Sequence, residues 1–457
     1  MTAVLPERVA PPPGRLPVGP AGRLLAAAAP DLHRHARRNG PVPWRDSAAL
    51  LADVEASGLT GRGGAAFPTW RKLAAVASGA RPVVVGNAAE GEPASAKDAT
   101  LLAVAPHLVL DGLQLAAEAV GAADAHLYVP AGPAAGSVRR ALAERVRGWD
   151  RVPVRVVEAP PGFVSGEESA VIAALDGRPA RPYARTRPVV ESGLHGRPTL
   201  VQNVETLAHV ATIARWGPAW FRSVGTVADP GTFLATVSGA VAAPGVVEAP
   251  YGIALGDLLD LAGGPVARLG AVLVGGWAGA WLPAEAARHV PYCRDALAQW
   301  GAAPGAGVVV AHRADACGLA ATAWILDHLA GQGAGQCGPC VFGLPRLAKT
   351  VGRLARAGAP AGARAPAGAR ARAGVGTGAG AGARDAGTRA GAGPPAPADV
   401  EHLAALVTGR GACHHPDGAA RLARSALRTF AADVAAHRGG SCLAAPAAWN
   451  ADPRRRP

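Results

Sequence analysis

Lysine is almost missing from this chain: Lys72, Lys97 and Lys349 stand alone among 46 basic residues, the rest being arginine. Each retained lysine either persists by chance or marks a place where a compact, flexible ammonium is needed instead of a planar guanidinium. Long apolar runs are missing too. No uninterrupted stretch of about 18–20 apolar residues occurs, and the opening MTAVLPERVAPPPGR has no apolar signal core, so the expectation is a soluble chain that does not span a membrane. Cysteine is scarce. Six in 457 residues do not make a disulfide scaffold, which fits a reduced, cytoplasmic setting, with docking on the periphery of a membrane complex still open.

What is present describes a globular, multi-domain protein. The composition is 49% apolar and 17% charged, and single cores stop growing near about 250–300 residues, so 457 residues imply two or three cores. The net charge of +13 would ordinarily suit nucleic acid or an anionic surface. Much of that arginine, however, lies in RHARR (34–38), in an Ala/Gly/Arg tract near 357–397 and in the terminal PRRRP, so no nucleic-acid partner is expected.

Along the chain, residues 1–46 are rich in Pro, Arg and Ala and read as a flexible extension. Residues 47–230 alternate helical and strand patterns: SAALLADVEASG, a glycine loop, the strand RPVVVGN (81–87), the helix 106–121, the strand 126–131, the helix 137–149 and the strand 152–159. That alternation predicts a Rossmann-like α/β domain. Residues 231–312 carry short strands and one helix (ALGDLLDLAGG), the pattern of a small α+β module of β-grasp type. Residues 313–356 and 398–440 are amphipathic helices expected to form one bundle, interrupted by a flexible insertion at 357–397 and followed by a tail at 441–457.

Four stretches carry polar groups suited to a ligand. GRGGAAFP (61–68) sets Gly61, Gly63 and Gly64 where backbone N–H groups can approach phosphate or a flavin edge. GNAAEGEP (86–93) puts Asn87, Glu90 and Glu92 just past a strand end, the edge at which open α/β sheets bind ligands. GFVSGEESAV (162–171) brings Glu167 and Glu168 behind Gly166, and GRPTLVQNVETL (196–207) adds Gln202, Asn203 and Thr206. Singly, each is also what a solvated loop looks like.

Taken in order, SGLTGRGGAAFPTWRK, GNAAEGEPASAKD, PHLVLDGLQLAA, SGEESAVIAALDG, SGLHGRPTLVQNVETLAHV and VSGAVAAPGVVEAPYG resemble the NADH-binding flavoprotein subunit of bacterial respiratory complex I. The diaphorase subunits of NAD-linked hydrogenases and formate dehydrogenases share the pattern. The resemblance runs from about Ser47 to about Arg438, omitting the insertion. It implies a flavin-dependent oxidoreductase that takes hydride from NAD(P)H onto FMN and passes single electrons through an iron–sulfur cluster to a ferredoxin-like or membrane reductase partner. The alternative is an electron-transfer or assembly subunit of the same fold that no longer oxidises nicotinamide. Matching positions assign Gly61, Arg62, Gly63, Gly64 and Phe67 to the flavin loop and Lys72 just beyond it. Asn87, Glu90, Glu92, Gly166, Glu167, Glu168, Gln202, Asn203 and Thr206 match further flavin or nicotinamide positions, with Glu90 in the catalytic role. Departures from the family fall at Ala66 (for Gly), Ala89 (for Asp), Gln202 (for Asn) and RPVVESGL, which lacks the family's aromatic platform.

The tetrapeptide CGPC (337–340) has thioredoxin spacing, but glycine-rich LAGQGAGQ precedes it where a redox dithiol needs a strand. In the resembled family the cluster ligands read CGxCxxC plus a remote cysteine. Cys337 and Cys340 match the second and third of them and Cys413 the remote fourth, and Ala334 stands at the first. The cluster is then a three-cysteine variant of 4Fe–4S type, recruits His414, His415 or Asp417, or is absent. Cys293, Cys317 and Cys442 read as packed or unpaired thiols.

Overall fold

The computed structural model describes residues 22–26, 28–145, 148–359 and 393–444. Residues 1–21 of the expected extension, 360–392 of the expected insertion and 445–457 of the tail lie outside the described residues. The chain divides into two compact units, one ending at Arg313 and one beginning at Ala314.

The first unit opens with α1 (Leu32–Asn39), α2 (Ser47–Ser57) and α3 (Thr69–Ala77). Asp31 and Asp46 cap α1 and α2 by accepting from backbone N–H groups, and left-handed Gly58 ends α2. Four strands follow, β1 (Val83–Asn87), β2 (Asp124–Pro130), β3 (Val154–Ala159) and β4 (Thr199–Asn203), all parallel in the order β3-β2-β1-β4. Their connections carry α4 (Lys97–Val104), α5 (Pro106–Val120), α6 (Pro133–Glu144) and α7 (Glu168–Leu175), and α8 (Val204–Arg222) leaves β4 directly. Val83, Val84 and Val85 are wholly buried because both faces of the sheet are covered. Val84, Leu127 and Leu200 join the core under α5 and α8, whereas Val83, Val85 and Tyr128 join the one under α7. Helices α5 and α8 cross at Gly112, where an added Cβ would sit 1.9 Å from the Leu207 carbonyl oxygen. Only glycine permits that approach.

Two expectations shift here. Residues 22–26 and 28–46 are not an extension: Leu24 and Leu25 are buried, α1 is formed, and the backbone N–H groups of Arg23, Leu24 and Leu25 donate to the buried Glu248 carboxylate at 2.7–3.0 Å. Composition hid this because the Pro/Arg/Ala background outweighs one leucine pair. Helix α6 starts at Pro133 instead of Ser137, proline being preorganised for the first helical position.

A second sheet completes this unit. Strands β5 (Thr232–Gly239), β6 (Gly245–Pro250), β7 (Leu269–Val274), β8 (Ala280–Pro283) and β9 (Val308–Arg313) lie in the order β6-β5-β9-β7-β8. The central β5–β9 pair is parallel and the others are antiparallel. Helix α9 (Leu255–Asp260) buries Leu255, Leu258 and Leu259 against this sheet, and short α10 (Ala284–Ala287) and α11 (Arg294–Ala298) connect its later strands.

The second unit is helical: α12 (Gly318–Gly331), a π-helical turn at Pro339–Gly343, α13 (Leu344–Ala357), α14 (Pro397–Val407), α15 (His415–Thr429) and α16 (Ala431–Arg438). Leu347, Val351 and Leu354 make an i, i+4, i+7 stripe that is buried along α13. Among the described residues no single helix is long and apolar enough to cross a membrane; α4 and α5 together have the length but bend by 98°.

Candidate functional site

The parallel pairing of β1 with β4 sets Asn87 directly beside Asn203 at the carboxyl edge of the sheet. Each side chain is fixed by its neighbours. Asn87 Nδ2 donates to the Gly166 carbonyl at 2.9 Å and its Oδ1 accepts from Ala89 N–H at 3.0 Å. Asn203 caps α8 by accepting from Glu205 N–H at 3.0 Å and donates to Asp98 at 2.7 Å. Gly166 reaches this edge so closely that an added Cβ would lie 2.4 Å from the Ala89 carbonyl oxygen. Next to Asn203, Gln202 is buried, and its Nε2 has no hydrogen-bond partner among the described residues. A buried amide donor left unpaired is costly, so this one points to an absent acceptor.

The glycine loop hangs over the same edge. Gly61 N–H donates to the Phe67 carbonyl at 2.9 Å and Thr60 bridges Pro68, closing the loop, while Gly63 approaches the Asn203 side chain. Gly64 has φ +106°, and Ala66, where the resembled family has glycine, also takes a left-handed φ of 50°. Arg62 does not face outward. Its guanidinium is buried on Thr60 Oγ1 (3.1 Å), the Pro230 carbonyl (3.2 Å) and the Tyr251 ring, and the Arg62 backbone N–H donates to Thr206 Oγ1 at 2.8 Å. Arg62 and Thr206 therefore anchor the loop to α8. Phe67 is half exposed beside it.

Lys97 was visible in the sequence, but its partners were not. Its buried ammonium reaches Asp98 at 2.7 Å, Glu205 at 2.9 Å and Asn203 Oδ1 at 3.3 Å. Burial opposes that charge, yet Asp98, Glu205 and Glu90 hold the Lys97 pKa above its ordinary value. Burial also pushes Glu205 up against the pull of Lys97 and Arg62. The signal lay in SAKD and NVET, where acids adjoin motif positions.

Glu90 accepts from Ser95 Oγ and from Asp98 N–H at 3.2 Å; burial, aided by the charge of Asp98, lifts its carboxyl to about 7. Glu92 accepts from Trp277 N–H at 2.9 Å and Ala94 N–H at 3.2 Å, and burial lifts it to about 7 as well. Glu167 caps α7 through Ser169 and Ala170 N–H. Glu168 bridges Lys72 and Arg185, each at 2.7 Å; burial works against its charge, but Lys72 and Arg185 hold its pKa below the usual value.

In the helical unit, Cys340 lies in the π-helical turn and its sulfur packs on Gly333, next to Ala334. Burial, together with the charges of Cys337 and Cys413, raises Cys340 to about 11. Cys337 is held below its ordinary value despite burial, because backbone N–H groups at Ala412 and Cys340 favour its thiolate. The three cysteines thus share one electrostatic neighbourhood. His414 is exposed on Asp417 at 2.9 Å, and His415 is buried on the Leu329 carbonyl at 2.8 Å. A second constellation involves Cys317 and Cys442, read from the sequence as packed or unpaired thiols: their sulfurs and a ring nitrogen of His437 all lie within 4.8 Å of one another, a group that could hold a metal.

Comparison with known proteins places these features in a class. Residues 54–212 match the Nuo51 FMN-binding domain family and residues 234–273 match the SLBB domain family. The second F-type subunit of the NADH-quinone oxidoreductase of Rhizobium meliloti (strain 1021) is 31% identical over 406 residues, covering 84% of this chain and 87% of the relative. The F-type subunit of the NADH-quinone oxidoreductase of Streptomyces coelicolor (strain ATCC BAA-471 / A3(2) / M145) is 39% identical over 230 residues, 47% of this chain and 51% of its own. Among solved structures, an NAD+-reducing [NiFe]-hydrogenase in the H2-reduced state superposes with a TM-score of 0.74 at 29% identity, over 93% of this chain and 68% of that one. The first unit is thus an FMN-binding α/β fold joined to an SLBB domain. The chain belongs to the family of F-type subunits of NADH-quinone oxidoreductase.

Proposed function

We propose that this chain is the flavin-bearing subunit of a larger oxidoreductase, taking hydride from NAD(P)H and passing electrons singly through an iron–sulfur centre to a partner protein. The unpaired, buried Gln202 Nε2 at the sheet edge carries the reading, because it stands where FMN would supply an acceptor. The order β3-β2-β1-β4 supports a Rossmann-like domain over 47–230, and the order β6-β5-β9-β7-β8 with α9 across it supports a β-grasp module over 231–312. Helices α12 to α16 would be the cluster-bearing bundle of residues 313–356 and 398–440.

The residues fit FMN. Backbone N–H groups of Gly61, Gly63 and Gly64 would approach the cofactor, Phe67 would flank it, and Asn87, Glu92, Gly166, Glu167, Glu168, Asn203 and Thr206 would shape and hold the cradle, with Lys72 fixed by Glu168. Bound FMN accepts hydride and releases its electrons one at a time. Burial lifts the Glu90 carboxyl to about 7, so its Oε atoms would take or return a proton during hydride transfer. Cys337, Cys340 and Cys413 would hold three corners of a 4Fe–4S-type cluster, with Ala334 offering no ligand at the first position of the motif. The relatives named as parts of quinone oxidoreductase and hydrogenase suggest that the acceptor is another subunit, ferredoxin-like or a membrane reductase, on the cytoplasmic side.

The test is anaerobic purification followed by flavin and iron content and absorption spectra before and after NADH. Flavin bleaching that is slowed by Glu90→Gln and Lys72→Ala is expected. A preparation that stays colourless after reconstitution with FMN, iron and sulfide would overturn the proposal. The second reading, a subunit without nicotinamide oxidation, is favoured by Ala89 and by the absence of an aromatic in RPVVESGL; it predicts flavin that NADH does not bleach.

A further inference from the structure

Cys317, His437 and Cys442 belong to none of the flavin or cluster motifs, yet α12, α16 and the segment after α16 bring them together. Cys317 Sγ lies 3.5 Å from His437 Nε2. Zinc binds thiolate at about 2.3 Å and imidazole nitrogen at about 2.0–2.1 Å, so two such ligands at a tetrahedral angle stand about 3.5 Å apart. The observed spacing, which a thiol–imidazole hydrogen bond also has, lets both donors reach one ion without rearrangement. Cubane ligands differ in that each thiolate takes a different iron, which spreads the sulfurs further.

The surroundings are those of a metal site. His437 Nδ1 lies 3.3 Å from the Leu354 carbonyl, so that nitrogen carries the proton and Nε2 turns its lone pair toward the sulfurs. Cys317 caps α12, where its sulfur accepts from Ala320 N–H at 3.3 Å. Cys317 and His437 are buried. Two thiolates and a neutral imidazole around a divalent cation sum to zero charge, the balance that makes a buried site tolerable.

We propose that Cys317, His437 and Cys442 bind a structural zinc ion, its fourth position taken by solvent or by a nearby carboxylate. The ion ties the start of the helical unit to its end, stapling α12 to the segment after α16. The site stands independently of the proposed redox function.

Metal analysis of the protein purified without chelator, and given zinc during growth, should find about one zinc per chain beside any iron. The double variant Cys317→Ser/Cys442→Ser should lose the zinc while keeping its flavin and iron. Should that variant fail to fold, cobalt(II) added to chelator-treated wild type decides instead: thiolate-to-cobalt charge-transfer bands together with intense tetrahedral d–d bands support the site. Wild type with no zinc and no such bands, zinc retained in the double variant, or a Cys317–Cys442 disulfide found by peptide mapping of the anaerobic protein would overturn the proposal.

Discussion

Replacing Lys97 by methionine tests the electrostatics at the sheet edge. Methionine roughly keeps the volume but removes the charge that faces Asp98 at 2.7 Å and Glu205 at 2.9 Å. Both carboxylates are almost fully buried, at 3% and 1% exposure, so neither can turn to water. Breaking a buried pair by deleting one partner costs about 3–5 kcal/mol, most of it from the charge left behind. For a domain of this size that is a drop of roughly 6–20 °C in melting temperature. The loss should be largest above neutrality and shrink toward pH 5, where Glu205, already raised by burial, takes up a proton in the variant. Adding Glu205→Gln should recover part of it. Urea denaturation from pH 5 to 8 reads the effect, and a cost below about 1 kcal/mol at pH 7.5, or one flat with pH, would refute the reasoning.

Three further outcomes follow from the same edge. Glu92 has a folded pKa of about 7 against an ordinary 4.5, so its contribution to stability is complete below about 4.5 and fades as pH rises through 7, by about 3 kcal/mol in all. Glu92→Gln should flatten that part of the pH–stability profile, and parallel profiles for variant and wild type would contradict the assignment. Gly166→Ala sets a methyl 2.4 Å from the Ala89 carbonyl and must push the Asn87–Glu92 turn aside, at a cost of about 1–3 kcal/mol and at least about a tenfold weaker flavin affinity by fluorescence titration. Ala66→Gly relieves a left-handed alanine and should raise the melting temperature slightly, the steric relief of about 1–2 kcal/mol being partly offset by the flexibility glycine gains when unfolded.

Strand β1 and helix α5 were legible because period and punctuation agree in them: RPVVVGN is a buried run stopped by Gly-Asn, and PHLVLDGLQLAAEAVG opens with proline and closes with glycine. Strand β8 was not, since AWLP is four residues long and defined by its partner β7 more than by its own pattern. The ligand-edge motifs could be read as a set, but the inward turn of Arg62 could not, because loop position says nothing of which way a long side chain lies. The Cys317, His437 and Cys442 group escaped for a simpler reason: its members are 120 and 5 residues apart in sequence, and only the packing of α12 against α16 closes that gap.

The arginine bias can now be weighed. Lys349 is exposed, Lys72 meets one carboxylate, and Lys97 alone is buried. Around Lys97 the acceptors come from α4 itself, from the end of β4 and from the first turn of α8. An ammonium sends three donors toward three such directions from a single point, whereas a guanidinium confines its donors to a plane and needs more room. Chance accounts for Lys349 well enough, but at position 97 the geometry selects lysine. Lys97→Arg should therefore fail to rescue the edge, lowering stability and flavin retention although the charge is kept. An arginine variant indistinguishable from wild type in both would show that charge alone, and not its compact form, is what this position requires.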